Sequence, residues 1–381
     1  MLLPWASSFA LLFGASLAST PAAHARGDGE VTSARPKVIL DNDWTTTEFS
    51  PFLQALQAGW DVVGLIGNTA NSWAKQATLH ALATLEIGNL TCIPVYRGAD
   101  YPLLNNPGLA RAWGLIHGNL PYQGAFAPQN GPLEQKGHDP SGDDPERISR
   151  AALMEGFPNT SHVLDVWGAE FLVQTVRKYP GEVTIFSAGA LTNIALAHRI
   201  DPTFAKNTKG LFVMGGYMDG NLVQVTGSTY LASLQSDINL KIDPEGSKVA
   251  LSAPFPSITL IGNAANQFIP SEDYLNELAE VENPYTRLMH RYYDRRFPFW
   301  DATAAAVMLD PGIVTNSTEF YVDVDTSYAS PSYGTIHAYQ EALKPKAQTL
   351  QKVRMVVSVD EERLKQQVKM ALQFPPTCAD L

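Results

Sequence analysis

The stretch from Lys37 to Phe49, Lys-Val-Ile-Leu-Asp-Asn-Asp-Trp-Thr-Thr-Thr-Glu-Phe, constrains the fold of this chain more than any other. Lys37 to Leu40 read as a buried strand. Asp41 and Asp43 follow at once, and Glu48 precedes an apolar run (Phe49, Phe52, Leu53, Leu56) with helical spacing. A strand that ends in acidic residues and turns into a helix marks the C-terminal edge of a parallel sheet, where open α/β folds build their sites. Two aspartates and a glutamate crowded there repel one another unless a cation joins them. The competing account is local: Asp41 closes a turn and the threonine hydroxyls cap the helix.

The same rhythm recurs along the chain. Val62–Ile66, Ile93–Tyr96, Val183–Phe186, Leu211–Met214 and Ile258–Ile261 read as strands. Between them, helical spacing runs over Trp73–Glu86, Leu164–Lys178, Leu191–His198 and from Asp243-Pro244 to Leu251. This alternation predicts a mostly parallel sheet flanked by helices on both faces. Residues 314–359 carry strand-like pieces such as Phe320–Val324 and predict a small appended antiparallel section; a helix over Glu361–Gln373 closes the chain. Residues 119–162 break the rhythm with Gly, Pro, Asp, Asn and Gln, as a lid or a disordered insert does. A single domain over 37–381 with this insert is the expected organisation.

Residues 1–25 read as a secretory signal, with an apolar Leu11–Leu17 core and Ala23-His24-Ala25 as a small-residue cleavage pattern; 26–36 form a flexible leader. Asn89-Leu-Thr, Asn159-Thr-Ser and Asn316-Ser-Thr are glycosylation sequons and agree with a secreted, extracellular glycoprotein. Cys92 and Cys378 are the only cysteines, either one disulfide or two buried thiols. The formal charge of -11 argues against nucleic acid or an anionic membrane as partner.

The polar residues expected at strand ends form a set: Asp41 and Asp43, then Asn71, then Ser187-Ala188-Gly189, Met214-Gly215-Gly216 with Asn221, Asp237 and Asn239, and Trp300-Asp301 opening an Ala-rich helix. Carboxylates and carbonyls suit Ca²⁺, and amides suit a polyhydroxylated ligand. There is no P-loop and no Gly-x-Ser-x-Gly elbow.

These residues resemble the inosine-uridine preferring nucleoside hydrolase family. The resemblance rests on the opening acidic cluster, Gly189-Ala190-Leu191-Thr192-Asn193-Ile194-Ala195, Met214-Gly215-Gly216, Gly220-Asn221, Asp237-Ile238-Asn239, Asp243-Pro244-Glu245, Pro94-Val95-Tyr96 and His117-Gly118. It implies a Rossmann-like nucleoside hydrolase fold and hydrolysis of the N-ribosidic bond of a small nucleoside with bound Ca²⁺. It casts Asp43 as metal ligand and base toward the attacking water. Asp41, Glu48, the carbonyl of Ala188 and Asp301 are the other metal positions. Asn71, Asn221, Asp237 and Asn239 fall to the ribose hydroxyls, one of which Thr47 can hydrogen-bond; Met214 joins the substrate-binding set, and His117 falls to the departing base. Three positions depart from the family pattern: Thr47 and Glu48 stand where it has aspartates, and Asp237 where it has a glutamate. A nucleoside- or ribose-binding protein that has lost catalysis is therefore the alternative, with a two-carboxylate carbohydrate hydrolase as a third reading. Trp300 resembles the purine-specific branch, in which a tryptophan here stacks on the base, and a partner ring on the other face is sought in Trp113 or Trp73. Assembly into a homo-oligomer is left open.

Overall fold

The computed structural model describes residues 35–159, 164–218 and 237–381. The expected signal segment, most of the leader and Asn221 lie outside the described residues. Seven strands run parallel: β1 (Lys37–Asn42), β2 (Asp61–Gly67), β3 (Val95–Arg97), β4 (Val183–Ala188), β5 (Gly210–Val213), β6 (Ile258–Leu260) and β9 (Gln351–Val359). With β7 (Val314–Val324) and β8 (Ile336–Tyr339) they form one sheet in the order β3-β2-β1-β4-β5-β6-β9-β7-β8. The mostly parallel sheet between helices and its antiparallel section are as the sequence predicts.

The alternation of side chains explains the layers. Val38 and Leu40 of β1 enter one core with Phe186 and Ala188 of β4, while Ile39 enters the other with Val183 and Ile185. Successive residues of a strand face opposite sides, so a strand apolar at every position must be covered twice. The helices Ser50–Gln57, Trp300–Leu309 and Glu361–Gln373 cover the first face, and Gly168–Lys178, Thr192–Ile200 and Pro244–Ser252 the second.

Two details differ from the sequence reading. The strand expected to begin at Ile93 begins at Val95, because Pro94 has no N–H to give the ladder; its carbonyl instead accepts from Leu65 N at 3.0 Å. The section over 314–359 is not simply appended. Strand β9 pairs parallel with β6 through Thr259 and Leu260, and antiparallel with β7 on its other edge, so it joins the two parts into one sheet. Cys92 and Cys378 are joined as a disulfide, which ties the C-terminal tail to the turn after the Ala74–Ile87 helix.

The strand order places the site. From β1 the chain builds outward through β2 and β3 on one side, and from β4 through β5 and β6 on the other. The C-terminal ends of β1 and β4 therefore flank a switch point, where connections leave in opposite directions and open a crevice. In register there stand Asp41 opposite Ser187 and Asn42 opposite Ala188.

Candidate active site

Asp41 lies on the floor of this crevice, still inside β1 and fully buried. Its Oδ1 accepts from Asn68 Nδ2 at 3.1 Å and Asn193 Nδ2 at 2.9 Å. The two amides flank β1 on either side, Asn68 directly after β2 and Asn193 in the first turn of the Thr192–Ile200 helix that follows β4. Gly189 makes room for the first: a Cβ there would lie 2.2 Å from Asn68 Oδ1. Asp41 Oδ2 is buried without a partner among the described residues. Burial pushes its carboxyl up to about 7 against the pull of the two amides. No turn is capped by Asp41, which removes the local account of it.

Above it stand three more carboxylates. Asp43 is almost wholly enclosed; its Oδ2 accepts from the Asn71 backbone N–H at 2.7 Å, and its own N–H donates to Ala188 O at 3.3 Å. Asp301 sits in the first turn of the Trp300–Leu309 helix, whose N-cap is Phe299. It is therefore not the cap. Its Oδ2 accepts from Asn42 Nδ2 at 3.0 Å, and its carboxyl shares a hydrogen bond with Glu48. Burial raises Asp301 to about 6. Burial, then Asp301, raises both Asp43 and Glu48 well above the carboxylate range. These groups gain protons because they are dehydrated in one another's field.

The carboxylates open onto a cavity of about 500 Å³, within the range of small-molecule sites. Asp43, Thr47, Glu48, Asn71, Met214, Asp237, Asn239, Trp300 and Asp301 all line it. Asp237 also caps the Ile238–Ile242 helix, accepting from Leu240 N at 2.8 Å and from Gly216 N, where φ is +83°. Asn239 Nδ2 donates to Met214 O at 3.0 Å. Trp300 is held by Nε1 donating to Asn266 Oδ1 at 2.9 Å, with its ring 5.4 Å from that of Phe297.

Other expectations fall elsewhere. His117 packs against Trp113 at 5.0 Å and does not line the cavity. Trp73 is buried between Tyr101 and Phe126, and Trp113 borders a separate, much smaller cavity. The aromatic walls are instead Tyr122, Tyr217, Tyr292, Tyr293 and Phe297. The 119–159 segment supplies Tyr122, Lys136, His138 and Asp139, residues no strand-end pattern marks. Asn68, directly after Gly67 at the end of β2, is a site residue the sequence does not mark; it holds Asp41, while Asn71 in the same turn gives Asp43 its backbone N–H.

Among the described residues, no three His, Cys, Asp or Glu side chains are grouped so as to hold a metal ion as they stand. The donor chemistry nonetheless fits a hard cation: carboxylates and a carbonyl, one buried carboxylate oxygen unpartnered, and carboxyl pKa values raised by burial and then by mutual repulsion.

Residues 38–366 match the family model described as inosine-uridine preferring nucleoside hydrolase. The chain is 33% identical to an uncharacterized protein of Schizosaccharomyces pombe, over 82% of this chain and 79% of the relative. It is 28% identical to a probable uridine nucleosidase 2 of Arabidopsis thaliana, over 68% and 70%. A solved plant nucleoside hydrolase, 22% identical, shares the fold with a TM-score of 0.68 over 89% of this chain and 99% of that one.

The raised carboxyls set a pH dependence. With folded-state values of about 7 for Asp41 and about 6 for Asp301 against 3.8 unfolded, the folded state binds more protons in between. Stability must then fall as pH rises from about 4 through about 7. In chelator, the melting temperature is expected to decline steadily from pH 5 to pH 8. A flat or rising profile over that window contradicts the burial of these acids.

Proposed function

The chain belongs to the inosine-uridine preferring nucleoside hydrolase family and is a nucleoside hydrolase, and on that premise we propose that it cleaves the N-glycosidic bond of ribonucleosides, purine nucleosides in preference, giving free base and ribose with Ca²⁺ at the acidic strand ends. The observation that carries this reading is the convergence of Asp43, Glu48 and Asp301 on one cavity that Asp237, Asn239, Met214 and Trp300 also line.

Asp41, Asp43, Glu48, Asp301 and the Ala188 carbonyl would hold the ion; when bound, it lowers the pKa of water and orients it. Asp43 accepts the proton of the attacking water. The Asn71 N–H fixes its carboxylate, and burial makes it a stronger base than an exposed aspartate. Thr47, Asn71, Asp237 and Asn239, with Asn221, bind ribose hydroxyls and favour the oxocarbenium-like state as the bond to the base breaks. His117, off the cavity, is given no part in protonating the base.

Trp300 supports the purine preference. Its N–H is committed to Asn266, so the ring offers its face to the base. We propose further that the protein is secreted; the Cys92–Cys378 disulfide suits an oxidising compartment.

Two variants test these roles. Asp43→Ala is expected to lower kcat for ribose release by about 10²–10⁴-fold while the protein still melts cooperatively. A loss below about threefold contradicts its role as base. Wild type is expected to show a higher kcat/KM for inosine than for uridine. Trp300→Ala should cost inosine about 2–13-fold more than uridine, from about 0.5–1.5 kcal/mol of stacking. Equal rates, or equal losses on both substrates, contradict the stacking role.

A further inference from the structure

The Ala74–Ile87 helix carries Gln76 and His80 one turn apart, on a face that meets the 119–159 segment rather than the apolar core. The His80 side chain is fully buried. Its Nε2 lies 2.9 Å from Asp139 Oδ1, and its Nδ1 is hydrogen-bonded to Glu155 Oε1. Both ring nitrogens thus face carboxylate oxygens, and only the imidazolium donates from both. Burial opposes that charge, but Asp139 and then Glu155 push the ring up to about 10, so it stays charged at neutral pH.

The two acids reach different parts of the site. Asp139 lines the cavity. Glu155 turns its other oxygen to Thr46 Oγ1, which donates at 2.8 Å. Thr46 also donates to Ala152 O at 3.1 Å, and it lies two residues before Glu48 in the acidic loop. Gln76 completes the attachment: its Nε2 donates to Asp139 Oδ1 and to Ser149 O, both at 3.1 Å, and its Oε1 accepts from Ser149 N at 3.1 Å. A chain of contacts therefore runs from one cavity wall, Asp139, through a single buried cation to the loop that bears Asp43 and Glu48.

We propose that His80 is a positioning residue for nucleoside hydrolysis: with Glu155 and Asp139 it clamps the 119–159 segment over the cavity and, through Thr46, holds the Asp43–Glu48 loop in place. The proposal rests on the reading of this cavity as the reaction site. His80 itself does not line the cavity; it acts through its partners. The acidic floor needs such a device. An unclamped loop carrying like charges would move apart, and a displacement of about 1 Å at a reacting group costs on the order of 10²-fold in rate.

The test uses His80→Gln, with Glu155→Gln as the second variant because it keeps side-chain volume while removing charge. Each is compared with wild type by kcat and KM on the nucleoside that wild type hydrolyses fastest, and by amide hydrogen exchange. Either variant is expected to lower kcat/KM at least about tenfold and to lose exchange protection in both the 119–159 segment and the Thr45–Glu48 loop. The fall is expected in kcat as well as KM, because the base-bearing loop shifts along with the wall. A cycle with Thr46→Val distinguishes the clamp from a stabilising role. Along one connected path the losses of His80→Gln and Thr46→Val are less than multiplicative; two independent effects multiply. Unchanged kinetics with unchanged exchange, or multiplicative losses, overturns the proposal. If wild type releases ribose from no nucleoside, the substrate reading fails. The exchange measurement then decides the clamp alone: protection lost in both segments supports it, and protection kept in the Thr45–Glu48 loop overturns it.

Discussion

Four carboxylates meet at the ends of β1 and of the helix that begins at Trp300, in a place from which water is largely excluded. That repulsion is the constraint on which the rest of the site depends. Asp41, Asp43 and Asp301 are each no more than 6% exposed, so none is relieved by solvent. A buried anion without a partner is among the costliest things a fold can hold. The protein answers first with protons, which the raised pKa values record, and then with neutral donors. Asn68 and Asn193 hold Asp41, Asn42 holds Asp301, and the Asn71 N–H holds Asp43. No Lys or Arg enters this inner set. Amides orient the carboxylates without bringing an opposite charge, which suits the cation proposed for this site.

The surroundings are arranged to keep that geometry. The helix after β4 supplies Asn193 to the floor, while Thr192 Oγ1 at its start donates to Asp243 at 2.6 Å and secures it to the Pro244–Ser252 helix. The 119–159 segment closes the cavity from above. Beneath it the fully buried side chain of His80, from the Ala74–Ile87 helix, is held by two acids of the segment, Asp139 and Glu155. His80 itself stays off the cavity, while its partner Asp139 lines it together with Asp43, Glu48 and Asp301.

Much of this was legible in the sequence, for physical reasons that can be named. Asp41, Asp43 and Asp301 stand where strands and helices end at a parallel-sheet edge, and periodicity locates such edges. Glu48 and Thr47 follow from their place in the same loop. Asn68 was passed over for Asn71 because both lie in one turn, and side-chain direction in a turn has no period. Tyr122, His138 and Asp139 were not legible at all: they come from a stretch without alternation, and only its closure over the sheet brings them to the site. Trp73 and Trp113 illustrate the converse. Their composition suggested a stacking partner, but each is buried among its own neighbours.

Under the proposed function the acidic strand ends form a cation-dependent hydrolytic centre. Its most direct test is ribose release from inosine by protein stripped with a chelator and then titrated with Ca²⁺ at pH 7.5. Turnover lost on stripping and restored by Ca²⁺ is the result predicted. Turnover that persists undiminished in chelator, with no response to added Ca²⁺, would contradict it.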